Sequence, residues 1–560
     1  MAKMTGARFL AESLDSCGVT HFFYMPTILC NTLVEMEMHT SIKRIMTHGE
    51  KSAAYMADGY ARASGRIGFC AAQTVGASNL AAGLKDAFLA NSPVVAFTGG
   101  PYEHTRNRRT YQQIDDFELF RPLTKYQARV TLPEDLPHAL SQSMRAATTG
   151  TPGPTVIELH GHFGEIEEEQ ITAVILDDSR FAVNCPFRPI PDRESVDKVL
   201  QLLNQAERPI IVAGGGVRTA DAGRELTTLA ERLGIPVATS LNAKAVIAGD
   251  HPHLAGVSGL YSRESANRAV LEADLVFFIG SHTGSQVTCN HQVPSPGTPV
   301  IQLDINGEEL GRHYENTASM CCDAKAGLQC LLDARDNDEA HGRESWLDRV
   351  NQLGQEWRQK IAKEYESDAS PLRPERLCAE LTQHLPDDAL LVAETGYNGI
   401  WTGAFVDLTK PGQDYIRAAG SLGWGLPAAM GAQCALGDNR PVVLFTGDGG
   451  IWYHIAELET AAHWQIPLVI LVANNVSMNE ELEVYIPAYG GKLRGKHAEL
   501  WQFTDVEFVD VAKSMGVDGL KVTRPGDFPG ALEQALQAKA PFVLDVRTDM
   551  DAFAPAAFTG

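Results

Sequence analysis

The ten cysteines contain no C-x-x-C pair; Cys321 and Cys322 are neighbours and the rest are scattered through apolar segments. That spacing supplies neither a tetrahedral zinc site nor a disulfide framework, and it suits a reducing compartment. No apolar run approaches the ~18 residues that a membrane-spanning helix needs; PLVILVA (467–473) is among the longest. The opening MAKMTGARFLAESLDSCGV places Glu12 and Asp15 at helical spacing and lacks the apolar stretch of a signal peptide, so the expected location is cytoplasmic. Positive charge is scarce too: Lys plus Arg number 47 against 70 Asp plus Glu, a net charge of −23. Such a surface repels nucleic acid and anionic lipid, and neither is expected as a partner. An anionic cofactor would have to be held locally, by backbone N–H groups, a helix N-terminus or a metal.

What is present is an ordinary globular composition, 44% apolar and 21% charged, in a chain of 560 residues. That length suits three domains of roughly 150–200 residues. Strand and helix patterns alternate throughout, so the expected class is α/β, with three doubly wound parallel-sheet domains at 1–165, 190–335 and 370–550. The first block carries strands THFFYM, IGFCAA, PVVAFTG and TVIELH and a helix over 50–64. The second is Rossmann-like, with RPIIVAGGG (208–216), IPVATS, ADLVFFIGS and TPVIQLDIN. The third has ALLVAETG (389–396), RPVVLFTGDGG (440–450), PLVILVANN (467–475) and PFVLDV. Residues 165–195 read as an irregular linker and 336–370 as a solvated connecting helix. The first and third blocks are similar in size and suit two versions of one architecture.

Gly447-Asp448-Gly449 follows the apolar run VVLF, which places it at the carboxyl end of a buried parallel strand, where doubly wound sheets bind ligands. The glycines, with Gly450, admit a phosphate close to the backbone, and the helix patterned in IWYHIAELETAAHW aims its positive end there. Twenty-four residues separate Gly449 from Asn474-Asn475, enough for a helix and the next strand. That crossover returns Asn475 beside Asp448. Carboxylate, amide carbonyl, backbone carbonyl and diphosphate oxygens form a site suited to Mg²⁺ or Ca²⁺. A lone GDG is usually a turn; the pair at this spacing carries the functional reading.

This pattern resembles the thiamine diphosphate enzyme family, and across nearly the whole chain the similarity is to its acetolactate synthase/2-keto acid decarboxylase group. The resemblance implies a pyrimidine-binding first domain, a central domain and a diphosphate-binding third domain. It implies thiamine diphosphate and Mg²⁺ as cofactors, with Asp448, Asn475 and the Ser477 carbonyl on the metal. Glu50, in E-K-S-A-A-Y-M-A-D-G-Y-A-R-A-S-G, matches the family's activating glutamate, whose carboxyl hydrogen-bonds the aminopyrimidine ring. Taken alone it is a glutamate favoured by a helix N-terminus. In the family this residue serves a neighbouring subunit's cofactor, which implies a homodimer or homotetramer. Asn79 matches nearby, while Gly49, Thr27 and Gln73–Gly76 depart from the usual residues. In GSLGWGLP, Leu422 stands where the family bends its cofactor, and the Gly420 carbonyl would accept from the amino group; taken alone, this is a structural glycine turn. Gln112 resembles a glutamine facing the reaction centre, Gln113 is its neighbour, and His104 falls where some decarboxylases place a proton-transfer histidine. Arg106, Arg108 and Arg109 could attract a carboxylate; Asn479, Glu480 and Glu483 either line the pocket or form a solvated face.

Two departures narrow the role. Val484 stands where acetolactate synthases carry tryptophan, and His282–Gln286 replaces their R-F-D-D-R flavin motif, so no essential FAD is expected. Gly214–Gly216 with Asp304 leave open a nucleotide-binding dehydrogenase, although G-x-G-x-x-G is missing. The resemblance implies non-oxidative decarboxylation or carboligation of a 2-keto acid or related carbonyl compound. Hydrolytic cleavage of a 1,2-dione by the same cofactor is the alternative, and a non-catalytic binding protein is the third reading.

Overall fold

The computed structural model describes residues 2–334, 342–438 and 440–560. It contains three six-stranded sheets, each parallel throughout, plus a two-stranded ribbon. The N-terminal sheet runs in space Lys43–Met46, His21–Tyr24, Gly68–Ala72, Val94–Gly100, Thr155–His160, Tyr126–Val130. The C-terminal sheet runs Asp414–Arg417, Leu390–Ala393, Val442–Gly447, Leu468–Asn474, Phe542–Arg547, Asp518–Val522. Counted along the chain, both read 2-1-3-4-6-5. The first and third blocks therefore share one topology. The central sheet, from Leu254–Val257 through Pro209–Ala213 to Asn316–Cys321, reads 3-2-1-4-5-6, the order of dinucleotide-binding folds.

Both strands of the ribbon and six strands of the large sheets escaped the sequence reading, and each of the six is the outermost strand of its sheet: 43–46, 126–130, 254–257, 316–321, 414–417 and 518–522. The interior strands are continuous buried runs, whereas segments such as Lys43–Met46 and Asp518–Val522 mix exposed and buried residues. An edge strand lacks the apolar run that marks a strand covered on both faces.

Two further readings change. Residues 165–195 are not simply a linker: Gln170–Ala173 pairs antiparallel with Ala2–Thr5. Within the acidic run, Glu167 is buried and accepts from the backbone N–H groups of Asn31 and Thr32, at the start of helix Cys30–His39. The connecting segment expected over 336–370 begins outside the described residues, and its helix occupies Glu344–Tyr365. That helix is not wholly solvated. Trp346, Val350, Leu353 and Trp357 are buried, and the Trp346 indole donates to the Pro209 carbonyl at 2.9 Å.

The N- and C-terminal domains meet where helix Glu50–Ser64 crosses helix Gly425–Leu436. A β-carbon on Gly59 would strike the Ala428 carbonyl, and one on Gly431 the Met56 carbonyl. Only glycine permits this approach of backbone to backbone. Beside the crossing, the Arg62 guanidinium donates to Asp58 at 2.8 Å, to Asp86 at 2.6 Å and to the Arg417 carbonyl at 2.7 Å. The buried Trp424 indole donates to Asp58 at 2.8 Å, and Asp86 accepts from Ala419 N–H and Ser421 N–H, each at 2.9 Å. Two buried carboxylates are tolerable here because one cation and several donors satisfy them.

Glu394, just beyond strand Leu390–Ala393, is buried and accepts from Gly425 N–H at 3.0 Å, an orphan donor of helix Gly425–Leu436. Burial pushes its carboxyl up to about 7.

Two tests follow from this packing. Gly431→Val should lower stability by about 3 kcal/mol, read by urea unfolding, because neither backbone can retreat. For Glu394 the folded-state value lies above the ordinary 4.5, so the folded chain holds the extra proton and stability falls as pH rises from about 4.5 to 7. Glu394→Gln should remove that contribution, flattening the decline by up to about 1 kcal/mol per pH unit in paired unfolding curves.

Candidate functional site

In the C-terminal sheet the winding reverses between strands Leu390–Ala393 and Val442–Gly447, and the crevice beyond their carboxyl ends is where such sheets take ligands. A cavity of about 290 Å³ opens there, between residues 395–398 and 447–450. Its lining also includes Leu422, Asn475, Ser477 and Glu480.

Strand Val442–Gly447 delivers Asp448 to the cavity floor, 3% exposed. Its carboxylate accepts from Ser477 N–H at 2.9 Å and from Gly449 N–H at 2.8 Å. Burial pushes that carboxyl up to about 7; a divalent cation would favour the ionised form. Strand Leu468–Asn474 brings Asn475 alongside, its side-chain carbonyl accepting from Ser477 N–H and hydroxyl, both at 3.1 Å. Asp448, Asn475 and Ser477 thus converge. Between the last two, Val476 holds φ at +60°, a conformation costly for a β-branched residue and found where a site demands it. The loop is braced by Met478 N–H to Trp501 O at 2.8 Å and Phe503 N–H to Val476 O at 2.9 Å.

Among the described residues no three His, Cys, Asp or Glu gather as a metal cluster, and the cavity lining includes no Lys or Arg. One carboxylate, one amide carbonyl and a backbone carbonyl are a hard-oxygen set that needs further oxygens from a ligand, as a cation arriving with a diphosphate provides. Gly447, Gly449 and Gly450 keep the approach open. A β-carbon on Gly450 would lie 2.7 Å from the Thr446 hydroxyl.

The helix expected through IWYHIAELETAAHW is two short ones, Asp448–Trp452 and Glu457–His463. The break lets His454 bond the Ser52 hydroxyl at 3.0 Å and pack edge-on to Tyr55, both on helix Glu50–Ser64. Leu422 follows Gly420, whose φ of +148° suits glycine, and the flanking Ala419 and Ser421 are pinned by Asp86.

Glu50 is the first residue of its helix and accepts from the Asn79 amide at 3.2 Å, with Gly76 packed so tightly that a β-carbon there would clash with it. The structure brings these two together at the carboxyl edge of the N-terminal sheet. Neither lines the Asp448 cavity, so one chain does not join the two halves. His104 and Gln112 lie on the loop after strand Val94–Gly100. His104 is exposed beside Tyr102, with ring centroids 5.3 Å apart. Gln112 is half-buried at φ +57°, and its side-chain carbonyl meets no donor. Gln113 differs: it accepts from Thr110 N–H at 3.0 Å and donates to the Arg106 carbonyl, which makes it a brace for the loop. Arg106 pairs with Glu103 at 3.1 Å; Arg108 and Arg109 are exposed.

Sequence reasoning missed other parts of the cavity wall. Gly396, Tyr397 and Asn398 form one cavity wall where the sequence reading saw only a strand end; their place one step beyond a buried strand was the available clue. Tyr261 reaches the cavity from the central domain. Asn479 lines the cavity, as expected, but its amide is turned to the C-terminal tail, donating to the Met550 and Ala552 carbonyls at 3.0 and 2.9 Å. Glu480 accepts from Tyr397 N–H at 2.9 Å, and Glu483 from the Tyr397 hydroxyl at 2.6 Å.

A larger cleft, about 1310 Å³, lies at the winding reversal of the central sheet, against Gly215–Thr219 and His282–Gln286. Gly214 and Gly216 pack directly on the Gly280 backbone, which accounts for the glycine run by contact alone. No helix among the described residues is long and apolar enough to cross a membrane.

Comparison with known proteins agrees with this geometry. Residues 4–119 match the family model for the thiamine pyrophosphate enzyme N-terminal TPP binding domain, 196–331 the central domain and 394–546 the C-terminal TPP binding domain. The chain is 31% identical over 560 residues to the probable acetolactate synthase large subunit of Methanocaldococcus jannaschii, covering 98% of this chain and 92% of that one. It is 28% identical to the acetolactate synthase large subunit of Corynebacterium glutamicum, with 98% and 88% covered. It is 27% identical to the putative thiamine pyrophosphate-containing protein YdaP of Bacillus subtilis, with 98% and 92% covered. With a hard-oxygen pocket at one switch point, a paired Glu50 at the matching sheet edge, and these similarities along its length, the chain belongs to the thiamine pyrophosphate enzyme family and is an enzyme of carbon–carbon bond cleavage or formation.

Proposed function

We propose that this chain is a Mg²⁺-dependent non-oxidative decarboxylase/carboligase acting on a 2-keto acid or a related carbonyl compound. The observation that carries the reading is the convergence of Asp448, Asn475 and Ser477 in a cavity free of basic residues. Bound thiamine diphosphate supplies the electron sink that cleavage next to a carbonyl requires. The chain's own residues bind, orient and move protons. Asp448, the Asn475 carbonyl and the Ser477 carbonyl would hold the cation, and the glycines at 447, 449 and 450 would let the backbone approach the diphosphate. Leu422 would pack against the cofactor, and the Gly420 carbonyl would accept from its amino group. Glu50, held by Asn79, would share its proton with the ring nitrogen of the aminopyrimidine.

Glu50 lies outside its own chain's cavity, so the proposal requires a homodimer or homotetramer in which the N-terminal sheet edge of one copy caps the cavity of another. The loop carrying Gln112 and His104 arrives with that edge, which places the unpartnered Gln112 carbonyl on the substrate side. Tyr111 of the same loop is 81% exposed, as befits a residue covered on assembly. The departure at His282–Gln286 supports catalysis without FAD, and the domain roles follow the order pyrimidine, central, diphosphate.

The direct test incubates the protein with a panel of 2-keto acids and 1,2-diones, with and without thiamine diphosphate and Mg²⁺, and identifies products by mass spectrometry. Decarboxylated or ligated products from keto acids are expected; water-derived carboxylates from diones alone would refute the proposal. Glu50→Gln should still quench tryptophan fluorescence on binding cofactor while turnover falls about 100- to 10,000-fold. Asp448→Ala should lose cofactor binding itself.

A further inference from the structure

Glu480 stands three residues beyond Ser477, on the turn Asn479–Glu481, and points back into the cavity. Its carboxylate accepts the Tyr397 N–H at 2.9 Å. That N–H belongs to the first residue of helix Tyr397–Phe405, whose cap Gly396 offers no side chain to satisfy it. The same carboxylate lies against Gly396 so closely that a β-carbon would collide with it, and Gly396 holds a φ of +68°. Helix N-termini beside a sheet switch point are natural seats for phosphate oxygens, since their free N–H groups and dipole favour an anion. Here a carboxylate from the chain occupies that seat.

Charge sharpens the conflict. Asp448, Glu480 and Glu481 all line the cavity, and its lining includes no Lys or Arg. Glu483 sits one turn on, bonded to the Tyr397 hydroxyl. An incoming diphosphate meets the like charge of these carboxylates unless a cation intervenes. Burial and the neighbouring Glu483 and Glu481 push the Glu480 carboxyl above the ordinary range, against the pull of the Tyr397 N–H.

Resting on the reading that the diphosphate sits in this cavity, we infer that Glu480 is an internal competitor for the cofactor: it occupies a phosphate-oxygen position, and its side chain must swing out before thiamine diphosphate seats. The residue thereby sets cofactor affinity and ties the state of loop 476–483 to cofactor loading.

The test is equilibrium binding to the full-length protein at saturating Mg²⁺, read by fluorescence of Trp401, which lines the cavity. The ligands are thiamine diphosphate, inorganic pyrophosphate and unphosphorylated thiamine. Glu480→Gln removes the charge and Glu480→Ala removes the plug. Both should bind thiamine diphosphate and pyrophosphate about 5- to 10-fold more tightly than the native chain, with thiamine unchanged. In stopped flow the native association rate should level off with ligand concentration, limited by the swing, and rise linearly in Glu480→Ala. Unchanged or weaker binding of both phosphorylated ligands in both variants would overturn the inference, leaving Glu480 as a partner of the cofactor. Asp448→Ala separates the two layers: if it binds as the native chain does, the cavity assignment itself is wrong.

Discussion

Backbone meets backbone where Gly59 rests on the Ala428 carbonyl and Gly431 on that of Met56, and the geometry of the whole molecule hangs on this crossing. It sets helix Glu50–Ser64, which starts with Glu50, against helix Gly425–Leu436, which follows the loop bearing Leu422. The Asp58–Arg62–Asp86 cluster converts that contact into precise placement. Asp86 reaches from the N-terminal domain to hold Ala419 and Ser421 in the C-terminal one. An ion cluster so buried adds little net stability, but losing any member strands the others, and that asymmetry enforces one arrangement.

The second constraint is electrostatic. A chain of net charge −23 that takes an anionic cofactor must hold that anion without a basic side chain in the cavity. The C-terminal cavity does this with hard oxygens and backbone donors in place of basic side chains. Under the proposed function, a divalent cation would do the work of Lys or Arg. The two domains with identical winding present different carboxyl edges. One offers the Asp448–Asn475–Ser477 oxygens, the other a single carboxylate held by Asn79.

Legibility tracked burial. Interior strands read as apolar runs, while the edge strands escaped because some, such as 43–46 and 518–522, mix exposed and buried residues and others, such as 254–257 and 414–417, are only four residues long. Asp448 and Asn475 were readable as a pair because a strand–helix–strand crossover has a fixed length, so spacing alone returns them to one edge. Gln112 and Gln113 were indistinguishable as neighbours; backbone at φ +57° and a bond to the Arg106 carbonyl tell them apart. The Gly396–Asn398 wall carried no motif that its residues alone announce.

The amino-acid sequence by itself determined the α/β class, the carboxyl-edge position of GDG and NN, and the helix led by Glu50, because periodicity and short-range spacing are local properties of the chain. Tertiary structure alone decided that Glu480 reaches Tyr397, that Asn479 anchors the tail, and that Glu50 stays out of its own chain's cavity. Those facts depend on contacts between segments remote in sequence, and on how two sheets dock through a pair of glycines, which no local pattern encodes.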